Sequence, residues 1–214
     1  MLKIENVETY GWQAAVRGMR NPLNSWHKQD SGWDCDPNSP TCGQFVVGAN
    51  DLDLMKRLAS GGSTHGKYRR MITVTCDITA PLYWWKEFDT YKVGTVANSC
   101  STMHKIHANE FTMNDFSHEH LDEVSKTALL SLVNILNSYR IRYNRTKDKN
   151  DWWQLIQLLP SSYNQKRTVQ LNYEVLAGIY PTRKNHKLDC WHTFCDWIKE
   201  LPYSELIVGE QDDL

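Results

Sequence analysis

An α+β fold, with a small sheet packed on a long central helix and further helices, follows from three stretches of this 214-residue chain. The first is Lys67 to Ile78, which alternates strictly: Ile72, Val74, Cys76 and Ile78 fall on one face, and Arg69, Met71, Thr73, Thr75 and Asp77 on the other. Period two over that length marks a half-buried strand. The second is Ser117 to Arg145, where Leu121, Val124, Ala128, Leu129, Leu132, Ile135, Leu136 and Tyr139 recur at helical spacing and define the central helix. The third, Leu2 to Glu8, is a shorter alternation that reads as another strand.

Taken in order, Gly11 to Met19 reads as a helix whose apolar face carries Trp12, Ala15, Val16 and Met19. Arg17 and Arg20 close it, either as solvated charge favoured by the helix dipole or as a phosphate contact. Residues 21–49 are rich in Pro and Gly with Trp26, Trp33 and Phe45, a long loop suited to a lid or an oligomer arm. Asn50 is placed to cap a short helix, Asp51 to Ala59, ended by Gly61-Gly62. His65 follows in a loop, where a structural role competes with a catalytic one.

Behind the main strand, Thr79 can cap and Pro81 can open an aromatic helix bearing Tyr83, Trp84, Trp85, Phe88 and Tyr91. A polar run then holds Lys92, Gly94, Thr95, Asn98, Ser99, Cys100, Ser101 and His104. Donors and acceptors placed directly behind aromatic residues suit a ligand pocket, the alternative being a buried hydrogen-bonded turn. Beyond the central helix, Asp148 or Asp151 starts a helix to Leu159 that Pro160 closes. Residues 162–180 read as helical in their second half, stopping at Gly178 and Pro181. A final helix spans about Asn185 to Leu201 with Leu188, Trp191, Phe194, Cys195 and Ile198 inward, and the acidic tail 209–214 frays. One domain spanning 1–214 is expected.

Composition narrows the function classes. Hydrophobic residues at 41% and charged residues at 23% exclude a disordered chain. No apolar run has bilayer length and the first residues lack a signal-peptide core, so a cytoplasmic location is expected. A net charge of -1 argues against a dedicated polyanion binder while leaving local phosphate sites open. The six cysteines do not form a disulfide framework; Cys35 and Cys42, with His27 upstream, are spaced too loosely for a zinc pair, and no metal is expected. Cys190 and Cys195 belong to a core. Glycine-rich phosphate loops, the H-E-x-x-H zinc motif and the G-x-S-x-G elbow do not occur.

Several segments together resemble a family. Gln13-Ala14-Ala15-Val16-Arg17, Gly62-Ser63-Thr64-His65 and Met71 to Asp77 are followed by Trp84 to Phe88, Thr90-Tyr91-Lys92, then Thr95, Asn98 and Ser101. Leu159-Pro160, and Arg183 followed by Leu188 to Phe194, complete the series. In this order they resemble the flavin-dependent thymidylate synthases; the chain is also similar to proteins carried by phages and prophages of Gram-positive bacteria. The resemblance spans nearly the whole chain and is thin at each point.

It implies a thymidylate-synthase-complementing-type fold, a homotetramer, and FAD relaying a hydride while folate supplies a one-carbon unit to C5 of dUMP. Carried over residue by residue, His65, Tyr91, Lys92, Thr95 and Asn98 would bind the cofactor. Arg17, Trp85, Lys92, Ser99, Ser101, His104 and Arg183 would bind the nucleotide, with Ser101 beside the reacting ring and Arg183 holding the base as the catalytic pair. Cys100 is then a packed thiol, because this family activates its nucleotide without a cysteine.

The departures fall on cations. Thr90-Tyr91-Lys92 stands where the family has Arg-His-Arg, and the loop runs one residue longer between Thr95 and Asn98. A further arginine's place falls near Met103 or His104, and Thr193 or Phe194 replaces a nucleotide-binding arginine. Each lost charge-assisted bond is worth about 1.5–3 kcal/mol. The expectation is therefore a dUMP-like nucleotide site at which flavin chemistry is not favoured. Its alternatives are a non-catalytic nucleotide-binding or sequestering protein, with Trp84, Trp85 or Tyr91 stacked on the base, and a ligand-free structural oligomer.

Overall fold

The computed structural model describes residues 2–209, and the acidic-tail expectation falls mostly on residues 210–214, outside the described residues. Strand β1 (Lys3–Tyr10) leads through Gly11 into helix α1 (Trp12–Arg20). A two-stranded hairpin, β2 (Gly32–Trp33) and β3 (Phe45–Val46), precedes α2 (Ala49–Ser60). Then come β4 (Thr73–Pro81), α3 (Leu82–Phe88), β5 (Val96–Ser99), α4 (Glu123–Thr146) and α5 (Lys149–Leu158). Strand β6 (Asn164–Asn172), α6 (Tyr173–Arg183), α7 (Asp189–Glu200) and α8 (Glu205–Val208) complete the chain. The four-stranded sheet has the order β1-β4-β6-β5, so the fold is α+β as the patterning requires.

The described residues fall into two compact units: 2–5, Asp77–Tyr91 and Ala97–Thr168 in one, and Asn6–Cys76, Lys92–Val96 and 169–209 in the other. In the first, Ile106, Phe111, Phe116, Leu129, Val133, Leu136 and Leu155 form an apolar cluster. Within α3, Trp84 stacks on Phe88 with ring centroids 5.0 Å apart. In the second, Trp12 meets Tyr173 and Tyr203 edge-on at 5.2 and 5.0 Å. Arg69 is buried there by a 2.8 Å pair with Glu174 and a bond from Nη1 to the Leu206 carbonyl. Gly11 is obligatory at the β1–α1 corner: its φ is +90°, and a Cβ would lie 1.9 Å from the Met71 carbonyl oxygen.

Several boundaries differ from the sequence reading. Residues 66–71 form a 3-10 turn, and β4 begins only at Thr73, because the buried Tyr68 and Arg69 answer to α2 and α6 rather than to a sheet. Thr79 and Pro81 extend β4, and α3 starts at Leu82. Patterning does not mark strand β6, because only Gln165, Val169 and Leu171 are buried in an otherwise polar segment. Helix α6 runs through Gly178 and Pro181, its last turn steadied by the Thr182 hydroxyl donating to the Ile179 carbonyl. The long helix starts at Glu123, capped by Asp122, and packs by a narrow stripe, Leu129, Val133 and Leu136; Val124, expected inward, is 80% exposed. Within the first unit this helix buries one seam along its length.

Arg20, expected either as solvated helix-end charge or as a phosphate contact, is 4% exposed. Its Nε donates to Asp51 at 2.6 Å, and the other Asp51 oxygen accepts from the backbone N–H of Asp30 and Ser31 and from the Ser31 hydroxyl. Asp30 in turn caps α2, accepting from the N–H of Asn50 (2.8 Å) and Asp51 (3.0 Å), the role expected of Asn50. Partial burial opposes ionisation of Asp30, but these N–H donors outweigh it and hold the carboxyl below the usual aspartate range. A carboxyl so lowered stabilises the fold above the ordinary aspartate pKa and loses that contribution as pH falls through its folded value. Asp30→Ala should cost about 1 kcal/mol in urea melts at pH 7. The difference from wild type should shrink as pH falls below the ordinary aspartate range; a constant difference down to pH 2 would refute the capping role.

Candidate functional site

The second unit carries a cleft of about 1380 Å³. The end of α1 (Gly18, Met19, Arg20), the 22–30 segment, one face of α2 and residues 64–71 line it. Met19, Leu23, Leu54, Leu58 and Met71 supply apolar wall, while Lys28, Arg57, Lys67, Arg70, His27 and His65 supply basic groups. Of its acids, Asp53 is held by Arg57 at 2.9 Å and Asp30 by the α2 N-terminus. Lys28, Lys67 and Arg70 therefore stand without an ion-pair partner among the described residues, and the cleft is net cationic.

Local geometry fixes its edges. The Gly62 carbonyl accepts from the N–H of His65 (3.1 Å) and Gly66 (2.8 Å), a tight turn that sets Thr64 and His65 at the rim. Burial pushes the Tyr68 phenol up, so it stays protonated and donates to the Met55 carbonyl at 2.9 Å, tying residues 66–71 to α2. Gly48 lets the chain pass Asp30, whose carboxyl oxygen lies 2.4 Å from where a Cβ would stand.

The first unit holds the turn after β5. The Ser101 hydroxyl accepts from the N–H of Met103 (3.2 Å) and His104 (2.9 Å), and the Trp152 indole N–H donates to the Met103 carbonyl at 3.0 Å. A notch of about 300 Å³ opens there, lined by Met103, His104, Tyr143, Lys147, Lys149 and Trp152. Cys100, expected to be packed, is exposed, with its backbone pinned by Gln165 and Lys166.

The residues marked in the sequence are thus divided. Trp85, Tyr91, Asn98, Ser99, Ser101 and His104 belong to the first unit; Arg17, His65, Lys92, Thr95 and Arg183 belong to the second. The Ser101 turn brings Ser101 and His104 together. Of the second set, only His65 lines the large cleft. Arg17 is exposed on α1 and Lys92 is exposed; Thr95 keeps a buried hydroxyl with no hydrogen-bond partner among the described residues. The Arg183 guanidinium lies 4.4 Å from the Trp191 ring centroid.

Trp85 needs correction as a stacking surface. It is 1% exposed, its N–H donates to the Gln165 carbonyl at 2.9 Å, and the Arg167 guanidinium covers its ring at 4.1 Å. Trp84 is equally buried, so among the three aromatics named for stacking only Tyr91 retains exposed surface. No motif joins Lys28, Lys67 and Arg70, because single cations in separate segments form no pattern.

No family model matches the chain, and no curated protein matches it. Solved structures do. Thymidylate synthase X from Helicobacter pylori, crystallised with FAD and dUMP, superposes with a TM-score of 0.68 at 15% identity over 98% of both chains. A second structure of the flavin-dependent thymidylate synthase from that organism, also with FAD and dUMP, gives 0.66 at 15% identity, covering 97% of this chain and 98% of the other. The UMP/dUMP methylase PolB from Streptomyces cacaoi, bound with 5-Br dUMP, gives 0.58 at 12% identity over 95% and 93%. The chain has the fold of the flavin-dependent thymidylate synthases.

Proposed function

We propose that this chain is a diverged thymidylate-synthase-X-like protein that binds a pyrimidine deoxynucleotide of the dUMP type. One observation carries the reading: the fold shared with FAD- and dUMP-bound enzymes includes, in this chain, a large cleft with three uncompensated cations beside His65. The reading assigns Arg17, Ser99, Ser101, His104, Lys92 and Arg183 to the nucleotide, and extends to a homotetramer in the cytoplasm of a bacterial host, encoded by a phage or prophage.

FAD is tested by fit. A cleft of 1380 Å³ exceeds the usual range of about 300–1,000 Å³ for small-ligand sites, so size admits a dinucleotide, and Lys28, Lys67 and Arg70 suit its diphosphate. Of the cofactor set His65, Tyr91, Lys92, Thr95 and Asn98, His65 is the member at that cleft. When bound, flavin supplies hydride transfer. Of this chain's own residues, the cations would hold phosphate and His65 would face the ligand.

A non-catalytic, nucleotide-sequestering protein is the second reading, favoured by Thr90-Tyr91-Lys92 in place of an arginine-rich triplet. Two measurements separate them. Flavin absorbance at roughly 450 nm in the purified protein supports hydride and methyl-transfer chemistry. In either reading dUMP at a hundred times its dissociation constant should stabilise the protein by about 2.7 kcal/mol. A melting temperature indifferent to dUMP with or without added FAD removes the nucleotide reading and leaves a structural oligomer.

A further inference from the structure

The notch at the junction of α4 and α5 has a chemistry of its own. Two of its six lining residues are lysines, a third is His104, and none is a carboxylate. The nearby acids are committed elsewhere: Asp148 caps α5 by accepting from the Asn150 N–H at 2.9 Å, and Asp151 pairs with Arg142 at 3.0 Å. Lys147 sits just past the end of α4 with φ +57°, its N–H on the Tyr143 carbonyl and its ammonium 5.2 Å from the Tyr143 ring centroid.

The walls are aromatic and held in place. Trp152 is anchored by its indole N–H on Met103 and packs edge-on against Trp153 at 4.8 Å. His107 lies 4.8 Å from the Tyr143 ring, and its buried Nδ1 has no hydrogen-bond partner among the described residues. Burial, then Lys147 and Lys105, hold the His107 pKa below its ordinary value, which fits a positive field that nothing in the notch cancels.

We propose that this notch binds an aromatic phosphate monoester of nucleoside-monophosphate size, the phosphate on Lys147 and Lys149 and the ring against Trp152. Ammonium groups with no carboxylate among the lining residues select an anion, and a half-buried indole offers a planar surface worth having for a ring. A volume of 300 Å³ suits one nucleotide and is too small for a dinucleotide. The notch shares no lining residue with the large cleft, and the inference rests on the nucleotide reading only for the choice of dUMP as one probe.

The test uses the full chain with two probes, dUMP and phenyl phosphate, followed by NMR titration of the histidine ring resonances. A bound phosphate beside Lys147 should raise the His107 pKa toward its ordinary value. Lys147→Gln combined with Lys149→Gln should weaken binding about tenfold or more, Lys149→Arg should restore most of it, and Lys126→Gln on α4 should change nothing. Phenyl phosphate that moves His107 while dUMP moves neither His107 nor the melting temperature would uphold this site and sink the nucleotide reading. Binding of dUMP undiminished in the double variant would uphold the nucleotide reading and overturn this site. Should the double variant unfold, wild-type titration still decides: a His107 resonance indifferent to both probes overturns the proposal.

Discussion

Asp51→Ala should destabilise the protein by about 3–5 kcal/mol, enough to take most of the stability of a domain of this size. Asp51 is fully buried and Arg20 is 4% exposed, so the substitution leaves a guanidinium in a low-dielectric interior without its counter-charge. It also removes an acceptor from the N–H groups of Asp30 and Ser31 and from the Ser31 hydroxyl. The ion pair itself need not be a large net gain, because desolvating both charges offsets much of their attraction. Arg20→Met with Asp51→Leu should therefore recover part of the loss, short of wild type because the two N–H donors stay orphaned. Urea melts of the three proteins check this. An Asp51→Ala midpoint within about 0.5 kcal/mol of wild type would mean that the pair is solvated and the cleft floor is not built on it.

That pair also shows why some of the molecule was legible and some was not. The buried face of α1 and the inward row Ile72, Val74, Cys76 and Ile78 are written in periodicity, which depends only on neighbours in the chain. Arg20 looked solvated because its partner stands 31 residues away, and Arg69 looked strand-like because Glu174 is 105 residues away. Strand β6 was hidden for the reverse reason: its residues are mostly polar, and tertiary pairing overrides propensity there. His65 was marked by resemblance, and it lines the large cleft. Lys28, Lys67 and Arg70 converge from segments that share no motif, and Lys147, Lys149 and Trp152 look like ordinary charges and apolar residues around a helix junction.

Trp85→Ala should cost about 3–5 kcal/mol, the loss expected when a fully buried aromatic ring is deleted. The indole meets Trp84 at 4.9 Å and Phe88 at 5.3 Å, lies under Arg167, and donates to the Gln165 carbonyl. Its removal opens a cavity beneath a guanidinium that Asp89 holds at 2.7 Å and leaves a buried carbonyl short of a donor. Trp85→Phe keeps most of the volume and should cost roughly half as much, with the dUMP response intact. Tyr91, half-buried with its centroid 6.5 Å from Phe88, is the contrasting case. Tyr91→Ala should cost about 1 kcal/mol or less while reducing the thermal shift given by dUMP. The two substitutions thus separate a ring that builds the fold from one that meets a ligand. Should Trp85→Ala melt like wild type and lose the nucleotide response, the assignments reverse, and α3 must open to expose its indole when the nucleotide binds.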